Sequence, residues 1–338
     1  MDFHSDNAAG VHPAILDAVA AAAGPQAKGY DSDDWTARLD GAFSALFGTH
    51  VRVFAVPSGT AANALGLAAA VPPWGGVWCH EEAHIQVDEA GAVGFYAAGA
   101  TLMPVPSTGG KLTVEALEDA NARRRAGDVH QVQPAALSLT QATESGTAYT
   151  PDEVSALAGW AHARGLAVQM DGARFANAVV HLGCSPADVT WKAGVDILSF
   201  GCIKNGGMSA EALLLFRPEL AGSIPVRRKR AGLMPSKGRF AAAQLLAMIE
   251  GGLWLENARA ANSGAQLLAA AAPGRLLHPV EANELFLHLT PAERETLRGE
   301  GFGFYDWELA GPDAARFVVR WDQSAEVLAG LARAIAAL

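Results

Sequence analysis

Residues 166–174 read Leu-Ala-Val-Gln-Met-Asp-Gly-Ala-Arg, an apolar run that ends in a carboxylate, a glycine and an arginine. A run of this kind is typical of a strand that is buried on both faces of a parallel sheet. Open α/β sheets bind their ligands at the carboxyl ends of such strands. Asp171 is therefore predicted to point into a ligand-binding crevice, although taken alone it is equally typical of a solvated turn before Gly172.

The same pattern recurs along the chain, with short apolar stretches alternating with alanine-rich helical ones. This alternation indicates an α/β fold with a largely parallel sheet. Strands are predicted over residues 51–56, 75–79, 134–139, 166–170, 195–200 and 212–216, and helices over 61–70 and 151–164. From about residue 240 the pattern changes to one long helix reaching about residue 272, two short apolar stretches and a C-terminal helix. We therefore predict a large domain over residues 1–240 and a small α+β domain over residues 241–338.

The composition excludes several classes of protein. Half of the 338 residues are hydrophobic, and the formal net charge of −10 disfavours duplex nucleic acid and anionic membranes as partners. No stretch reaches the roughly 18 to 20 consecutive apolar residues of a membrane-spanning helix. The three cysteines are widely separated, and the acidic, polar start does not resemble a secretory signal. We therefore expect a cytoplasmic protein without disulfides.

A second charged side chain follows another predicted strand. Residues 197–207 read Ile-Leu-Ser-Phe-Gly-Cys-Ile-Lys-Asn-Gly-Gly, so Lys204 lies between an apolar strand and a glycine turn. Of the six lysines, Lys204 alone has this setting. Desolvation there is expected to lower the pKa of the amine and to make it available as a nucleophile. Lys192, the next candidate, is more typical of a helix end capped by Gly194.

An acid and an amine on neighbouring strand ends can bind two opposite groups of one heterocyclic ligand. The carboxylate of Asp171 would pair with a ring nitrogen, and the amine of Lys204 would condense with an aldehyde, which is how pyridoxal phosphate is held. Pro57-Ser-Gly-Thr60 falls where a predicted strand turns into a helix, so its N–H groups and hydroxyls suit a phosphate. By itself this tetrapeptide is more often an ordinary N-cap. Together these residues predict a pyridoxal phosphate enzyme.

His80-Glu-Glu-Ala-His84 matches the H-E-x-x-H pattern of zinc proteases. That chemistry requires the five residues within one helix and a third ligand downstream. Here the pattern directly follows a predicted strand, and the extended form of the motif is missing from the sequence. A zinc hydrolase is therefore a remote alternative. The preferred interpretation is that His84 stacks its imidazole on a cofactor ring.

In order and spacing, these elements resemble the L-threonine aldolase family of aspartate-aminotransferase-like enzymes. The elements that carry the resemblance are Ser5-Asp-Asn7, Ser58-Gly-Thr-Ala-Ala-Asn63, Ala83-His84, Thr140-Gln-Ala-Thr-Glu144, Asp171-Gly-Ala-Arg-Phe-Ala-Asn177, Lys204-Asn-Gly, Val280-Glu-Ala-Asn283 and Arg316. None is decisive alone, but their order and spacing are jointly specific. The likeness is to the bacterial low-specificity branch, which also accepts phenylserine-type substrates.

The resemblance implies a fold, an activity and an assembly. The large domain would have the aspartate-aminotransferase-like fold, called fold type I among pyridoxal phosphate enzymes. The reaction would be retro-aldol cleavage of L-threonine, L-allo-threonine and related β-hydroxy-α-amino acids to glycine and an aldehyde. The chain would form a homodimer or homotetramer with active sites at the subunit interface. Another fold-type-I enzyme, such as a β-eliminating lyase, would use the same lysine and aspartate and is the main alternative.

Residue roles follow from the resemblance position by position. Lys204, His84 and Asp171 are implied to be catalytic: the lysine bonds to the cofactor aldehyde, the imidazole stacks on the ring and the carboxylate pairs with the pyridine nitrogen. The positions implied to contact the cofactor are Ser58, Gly59, Thr60, His84, Asp171, Arg174, Lys204 and Arg239. The positions implied to contact the substrate are Ser5, Tyr30, Arg174 and Arg316. Of these, Tyr30 and Arg239 would reach the site of a neighbouring subunit.

Two positions depart from the family pattern. Many members have a histidine in a Glu-Asn-Thr-His segment that contacts the substrate hydroxyl. The corresponding stretch here is Thr140-Gln-Ala-Thr143, so Thr143 is predicted to replace that histidine. Gln169 stands where another histidine often precedes the Asp-Gly-Ala-Arg motif. The base that removes the hydroxyl proton is expected to be His84 or a water molecule that His84 orders.

Overall fold

The structure is a computed structural model that describes residues 1–25, 28–307 and 311–338. The strands are β1 (Arg52–Val56), β2 (Gly75–His80), β3 (Thr101–Val105), β4 (Gln133–Thr140), β5 (Ala167–Gly172), β6 (Ile197–Phe200), β7 (Glu211–Leu215), β8 (Glu284–His288), β9 (Tyr305–Asp306) and β10 (Ala314–Val318). The α-helices are α1 (Pro13–Ala21), α2 (Asp34–Phe47), α3 (Gly59–Ala70), α4 (His84–Val87), α5 (Ala92–Tyr96), α6 (Val114–Ala122), α7 (Pro151–His162), α8 (Phe175–Leu182), α9 (Ile224–Arg230), α10 (Arg239–Glu250), α11 (Leu253–Ala270), α12 (Pro291–Gly299) and α13 (Ala325–Ala336). Short 3-10 helices include Asp6–Ala8 and Ile203–Asn205.

The large sheet has seven strands in the order β1-β7-β6-β5-β4-β2-β3. Strands β2 to β6 pair in parallel, whereas β7 runs antiparallel to both β1 and β6. Strand β1 therefore points the same way as β2 to β6, and the carboxyl ends of six strands lie at one edge. The predicted α/β fold with a largely parallel sheet is confirmed.

The central strands have no polar alternation because helices cover both faces of the sheet. Strands β5, β6 and β7 are buried along their whole length, as expected of strands covered on both sides. Helix α3 packs on one face of these strands. Helices α2, α7 and α10 belong to the hydrophobic cluster of the other face. Strands occur at all six positions predicted for the large domain, and α3 and α7 occur where helices were predicted.

The prediction of one long helix from residue 240 to about residue 272 is wrong, because two helices replace it. Helix α10 ends at Glu250 and α11 begins at Leu253. Gly252 between them has a φ of +76°, a conformation that residues with a Cβ rarely adopt. Helix α10 packs on α1 and α2, whereas α11 contacts α8 and α13.

Periodicity alone missed strand β3 and helix α2. Strand β3 carries exposed residues and Pro104, so it lacks a continuous apolar run, and a proline is tolerated because β3 is an edge strand. Helix α2 does carry boundary signals. Asp33 caps its first turn by accepting a hydrogen bond from the Thr36 N–H at 2.8 Å, and Gly48 ends it with a φ of +66°.

The C-terminal part of the chain has its own antiparallel sheet, in the order β8-β10-β9, and its own hydrophobic cluster. Phe3, from the other end of the chain, packs into this cluster, with its ring centroid 6.4 Å from that of Phe302 and 6.5 Å from that of Phe317. The division into domains at residues 240 and 241 stays a prediction. Among the helices in the described ranges, none is long and apolar enough to cross a membrane.

Candidate active site

The carboxyl ends of the large sheet enclose a cavity of about 200 Å³. Strand register explains its position, because Thr140 on β4, Asp171 on β5 and Ser199 on β6 lie side by side. Val56 at the end of β1 pairs with Glu211 at the start of β7, which brings the turn after β1 to the same edge. The predicted site residues that line this cavity are Ser58, Gly59, Thr60, His84, Asp171, Arg174 and Lys204.

Asp171 is held in place by two hydrogen-bond donors. Its Oδ1 accepts from the Ala173 N–H at 2.9 Å, and its Oδ2 accepts from Asn63 Nδ2 at 2.7 Å. The amide of Asn63 is itself oriented by Gln169, whose Nε2 donates to Asn63 Oδ1 at 3.0 Å. Oε1 of Gln169 in turn accepts a hydrogen bond from the Ser138 hydroxyl at 2.5 Å. Because these side chains are buried, where unpaired polar groups are costly, the network fixes the orientation of the Asp171 carboxylate.

His84 begins α4 and joins the same network through Glu89. Its Nδ1 lies 2.9 Å from Glu89 Oε1, which also accepts from Asn63 Nδ2 at 3.0 Å. The hydrogen bond to Glu89 raises the pKa of His84, with support from the charges of Asp171 and Glu144 and against the effect of burial. One nitrogen of His84 and one carboxylate oxygen each of Glu89 and Asp171 lie within 4.8 Å of one another.

His80 points away from this cluster. It is the last residue of β2, its Nε2 lies 3.1 Å from the Ser107 carbonyl oxygen, and its Nδ1 accepts from the Glu82 N–H at 3.1 Å. The stretch from His80 to His84 spans a strand end, a turn and a helix start. A zinc-protease site needs both histidines on one helix face. The zinc alternative is therefore wrong on geometric grounds.

Lys204 lies in the 3-10 turn Ile203–Asn205, directly after β6. The turn is tied to Glu211 on β7, whose carboxylate accepts from the Cys202 N–H at 2.5 Å and from the Ile203 N–H at 3.4 Å. Among the described residues, none accepts a hydrogen bond from the Lys204 amine or forms an ion pair with it. The backbone of this lysine is thus fixed while its amine faces the cavity unpaired.

Glu211 brings a titratable carboxyl next to the lysine turn. Burial raises its pKa to about 7, although its two backbone donors and the charge of Lys204 act in the opposite direction. Because Glu211 also lines the cavity, its protonation changes the charge there near neutral pH.

Ser58, Gly59 and Thr60 form the entry to α3. Ser58 is the N-cap, and its Oγ accepts from the Ala61 N–H at 3.2 Å. N–H groups in the first turn of a helix lack intrahelical partners and attract anions. These three residues also line the cavity, so the N-cap and the predicted phosphate site coincide.

Arg174 follows β5 and is buried in a cluster of charges. Its Nε and Nη2 donate to the two oxygens of Asp6 at 2.8 and 2.9 Å, and its Nη1 lies 3.3 Å from Glu284. Glu284 also lies 3.1 Å from Arg316 Nε, so the two arginines share one carboxylate. Burial would raise the pKa of Asp6, but the charges of Arg174 and Lys204 lower it to about 2.

The stretch after β4 includes Thr143 and Glu144. Thr143 is buried, and its hydroxyl lies 2.7 Å from that of Thr147, which turns it away from the cavity. Its neighbour Glu144 lines the cavity instead. Thr143 thus does not line the cavity, and its predicted replacement of a substrate-contacting histidine stays a prediction. Burial raises the pKa of Glu144 despite the positive charges of Lys204 and Arg174.

Some predicted contacts lie outside the cavity that the described residues form: Ser5, Tyr30, Arg239 and Arg316. Ser5 caps the short turn at the start of the chain by accepting from the Asn7 N–H at 3.1 Å. Tyr30 is 52% exposed, and Arg239 donates to the Ala22 carbonyl oxygen at 2.8 Å. The contacts predicted for Tyr30 and Arg239 across a subunit interface stay predictions.

Polar residues without a predicted role also line the cavity: Asn7, Asn63, Glu89, Glu144 and Glu211. Asn63 follows Gly59 by four residues, so a helix places both on one face, and this spacing could have revealed it. Glu89 and Glu211 have no such pattern, because their roles depend on tertiary contacts with His84 and with the lysine turn.

Comparison with known sequences finds relatives over nearly the whole chain. The model of the beta-eliminating lyase family matches residues 2–292. A protein of Pseudomonas aeruginosa named low specificity L-threonine aldolase is 43% identical, over 98% of this chain and 96% of its own length. A protein of the same name from a Pseudomonas species is 42% identical, over 95% of this chain and 92% of its own length.

Solved structures agree with the sequence comparison. The threonine aldolase of Leishmania major superposes with a TM-score of 0.92 at 27% identity, covering 99% of this chain and 98% of that one. An aspartate aminotransferase of Rhodobacter sphaeroides superposes with a TM-score of 0.73 at 18% identity, covering 100% of this chain and 92% of that one. The second likeness concerns the fold alone. The predicted aspartate-aminotransferase-like fold is confirmed.

Proposed function

Because the chain belongs to the beta-eliminating lyase family, we propose that it cleaves L-threonine and related β-hydroxy-α-amino acids to glycine and an aldehyde. The observation that carries this proposal is a single cavity lined by Lys204, Asp171 and His84. Relatives similar over nearly the full length are named low specificity L-threonine aldolase. Phenylserine-type substrates and L-allo-threonine belong to the proposed range.

The proposed cofactor is pyridoxal phosphate, on which the family and its fold group depend. The donor set fits it, because the cavity joins an unpaired amine, a fixed carboxylate and a helix N-terminus. Lys204 would bond to its aldehyde, Asp171 to its ring nitrogen, and His84 would stack on the ring. The phosphate would be held by Ser58, Gly59 and Thr60. When bound, the cofactor supplies an electron-accepting ring for the electron pair of the breaking Cα–Cβ bond.

The substrate carboxylate is proposed to bind on the Arg174 side of the cavity. Asp6 and Glu284 fix this guanidinium at a defined point of the cavity wall. A carboxylate held there would fix the orientation of the Cα–Cβ bond. Orientation of this kind lowers the activation barrier for breaking that bond. Ser5 and Arg316 are proposed to complete the carboxylate site, and Arg174 to contact the cofactor as well.

Homodimers or homotetramers with shared sites are proposed as the working form. Tyr30 and Arg239 support this, because they lie outside the cavity of one chain while the family resemblance gives them roles at the site. A cytoplasmic location is proposed from the composition and the cysteine pattern.

Product analysis tests the reaction. Incubation of the purified protein with L-threonine should release glycine and acetaldehyde in equal amounts. Release of ammonia and 2-oxobutanoate would instead indicate β-elimination and would reject the aldolase proposal. An absorption spectrum of the same sample tests the cofactor, since a bound pyridoxal phosphate gives a yellow protein that borohydride bleaches with label on Lys204.

A further inference from the structure

We propose that Glu144 is the catalytic base that removes the β-hydroxyl proton of the substrate. This assignment rests on the proposed function, because it concerns a proton that exists only in β-hydroxy substrates. It differs from the sequence-based expectation, which gave that task to His84 or to water ordered by His84.

The first support is the state of the other carboxylates in the cavity. Asp171 accepts two hydrogen bonds, Glu89 accepts from Asn63 and contacts His84, and Glu211 accepts from two backbone N–H groups. Glu144 accepts no hydrogen bond and forms no ion pair with any residue that the structure describes. Oε2 of Glu89 also lacks a partner but is fully buried, so Glu144 is the cavity carboxylate with neither oxygen bound.

The second support is the state of His84. Its Nδ1 is bound to Glu89, and the resulting rise in its pKa favours the protonated imidazole. A protonated imidazole donates a proton and does not accept one. His84 thus suits ring stacking and hydrogen-bond donation better than proton abstraction.

The third support is the balance of charges around Glu144. Lys204 and Arg174 act on this carboxyl as positive neighbours, whereas Glu284 and Asp171 act as negative ones, and burial favours its neutral form. The net result is a raised pKa of Glu144, with burial as the largest cause. A base whose pKa is raised toward the working pH is more effective in proton transfer.

The proton and electrons balance in one step. The O–H bond of the substrate breaks, its proton moves to a carboxylate oxygen of Glu144, and its electron pair becomes the second bond of the aldehyde carbonyl. The Cα–Cβ bond breaks at the same time, and its pair stays with the glycyl fragment. A proton taken up from solvent completes glycine at Cα, and Glu144 returns its own proton to solvent, so the proton count closes.

The test compares two reactions of the enzyme with its proposed cofactor bound. Cleavage of threonine needs the base, whereas exchange of the glycine α-hydrogen with deuterium, followed by NMR, involves no β-hydroxyl. Glu144→Gln keeps the shape of the side chain but cannot accept the proton. We expect kcat/KM for cleavage to fall by about 10²- to 10⁴-fold, while glycine exchange and the affinity for glycine, read from the absorption spectrum, change less than about threefold.

Two further variants make the comparison specific. Glu115→Gln, on the exposed first turn of α6, is a matched control and should keep both reactions. His84→Phe keeps an aromatic ring without nitrogen atoms, and it should slow cleavage and exchange by similar factors. If Glu144→Gln leaves cleavage unchanged, or slows exchange as much as cleavage, Glu144 is not the base. If the wild-type protein itself yields no glycine and acetaldehyde, the proposed function fails first.

Discussion

Two walls of the cavity differ in how their polar groups are satisfied. Asp171, Asn63, Glu89 and His84 form what we call the anchored wall, a continuous chain of hydrogen bonds between buried or partly buried side chains. Lys204 and Glu144 form the open wall, because neither has a partner among the described residues. Groups of the anchored wall are suited to orient a ligand. Groups of the open wall are free to form a bond or to take up a proton.

The largest expected effect comes from the open wall. Lys204→Ala should abolish threonine cleavage, because no other amine lines the cavity among the described residues. Its free energy of unfolding should change by less than about 0.5 kcal/mol, since the amine makes no contact that folding depends on. Glycine release and urea denaturation measure the two quantities.

Lys192→Ala is the matched control for this variant. Lys192 pairs with Asp188 at the surface, at 2.9 Å. The Lys192→Ala variant should therefore keep wild-type activity. Residual cleavage by Lys204→Ala at a comparable rate would show that the open wall does not carry the bond-forming amine.

The second effect is a change of stability with pH that comes from Glu211, the carboxyl that binds the lysine turn. The pKa of Glu211 is about 7 in the folded chain against an ordinary 4.5. Its contribution to the free energy of unfolding is therefore complete below pH 4.5 and is lost as the pH rises through 7. The free energy of unfolding of the cofactor-free protein should thus fall by roughly 3 kcal/mol across this window. In Glu211→Gln this part of the fall should disappear. Urea denaturation at pH 5 and pH 8 measures the difference, and an unchanged slope in the variant would exclude Glu211 as its source.

A smaller loss of stability is expected from the anchored wall. Asn63→Ala removes donors to Asp171 and Glu89 and the acceptor for Gln169. Leaving such buried groups unpaired should cost about 1–3 kcal/mol. Glu144→Gln, on the open wall, should cost less than about 0.5 kcal/mol. Equal losses in the two variants, measured by urea denaturation, would remove the distinction between the walls.

The smallest effect is local. Glu89→Gln replaces the carboxylate that raises the pKa of His84 by a neutral amide. The pKa of His84 should therefore fall. NMR titration of the ring protons measures it, with the His84 signal assigned by its absence in His84→Phe. A pKa that stays constant would show that Glu89 does not control the charge of this imidazole.

Sequence patterns located the cavity but only part of its chemistry. Asp171 and Lys204 were recognisable because charges rarely follow continuous apolar strands, and parallel strands bring their carboxyl ends to one edge. Glu89 and Glu211 gave no comparable signal, since their importance comes from tertiary contacts with His84 and with the lysine turn. Thr143 and Glu144 show a further limit, because a loop after a strand leaves it open which of two neighbouring side chains faces inward. The break between α10 and α11 was in principle readable from Gly251 and Gly252.

The first residues of the chain connect the cavity to the second core. Phe3 packs on Phe302 and Phe317, and Asp6 binds Arg174 while accepting from Asn283 at 3.0 Å. Contacts that span almost the whole chain form late in folding, because long loops must close first. During synthesis on the ribosome, the opening segment must therefore wait for strands β8 and β10 to emerge. Until then the Asp6–Arg174 pair lacks the support that Phe3 and Asn283 provide.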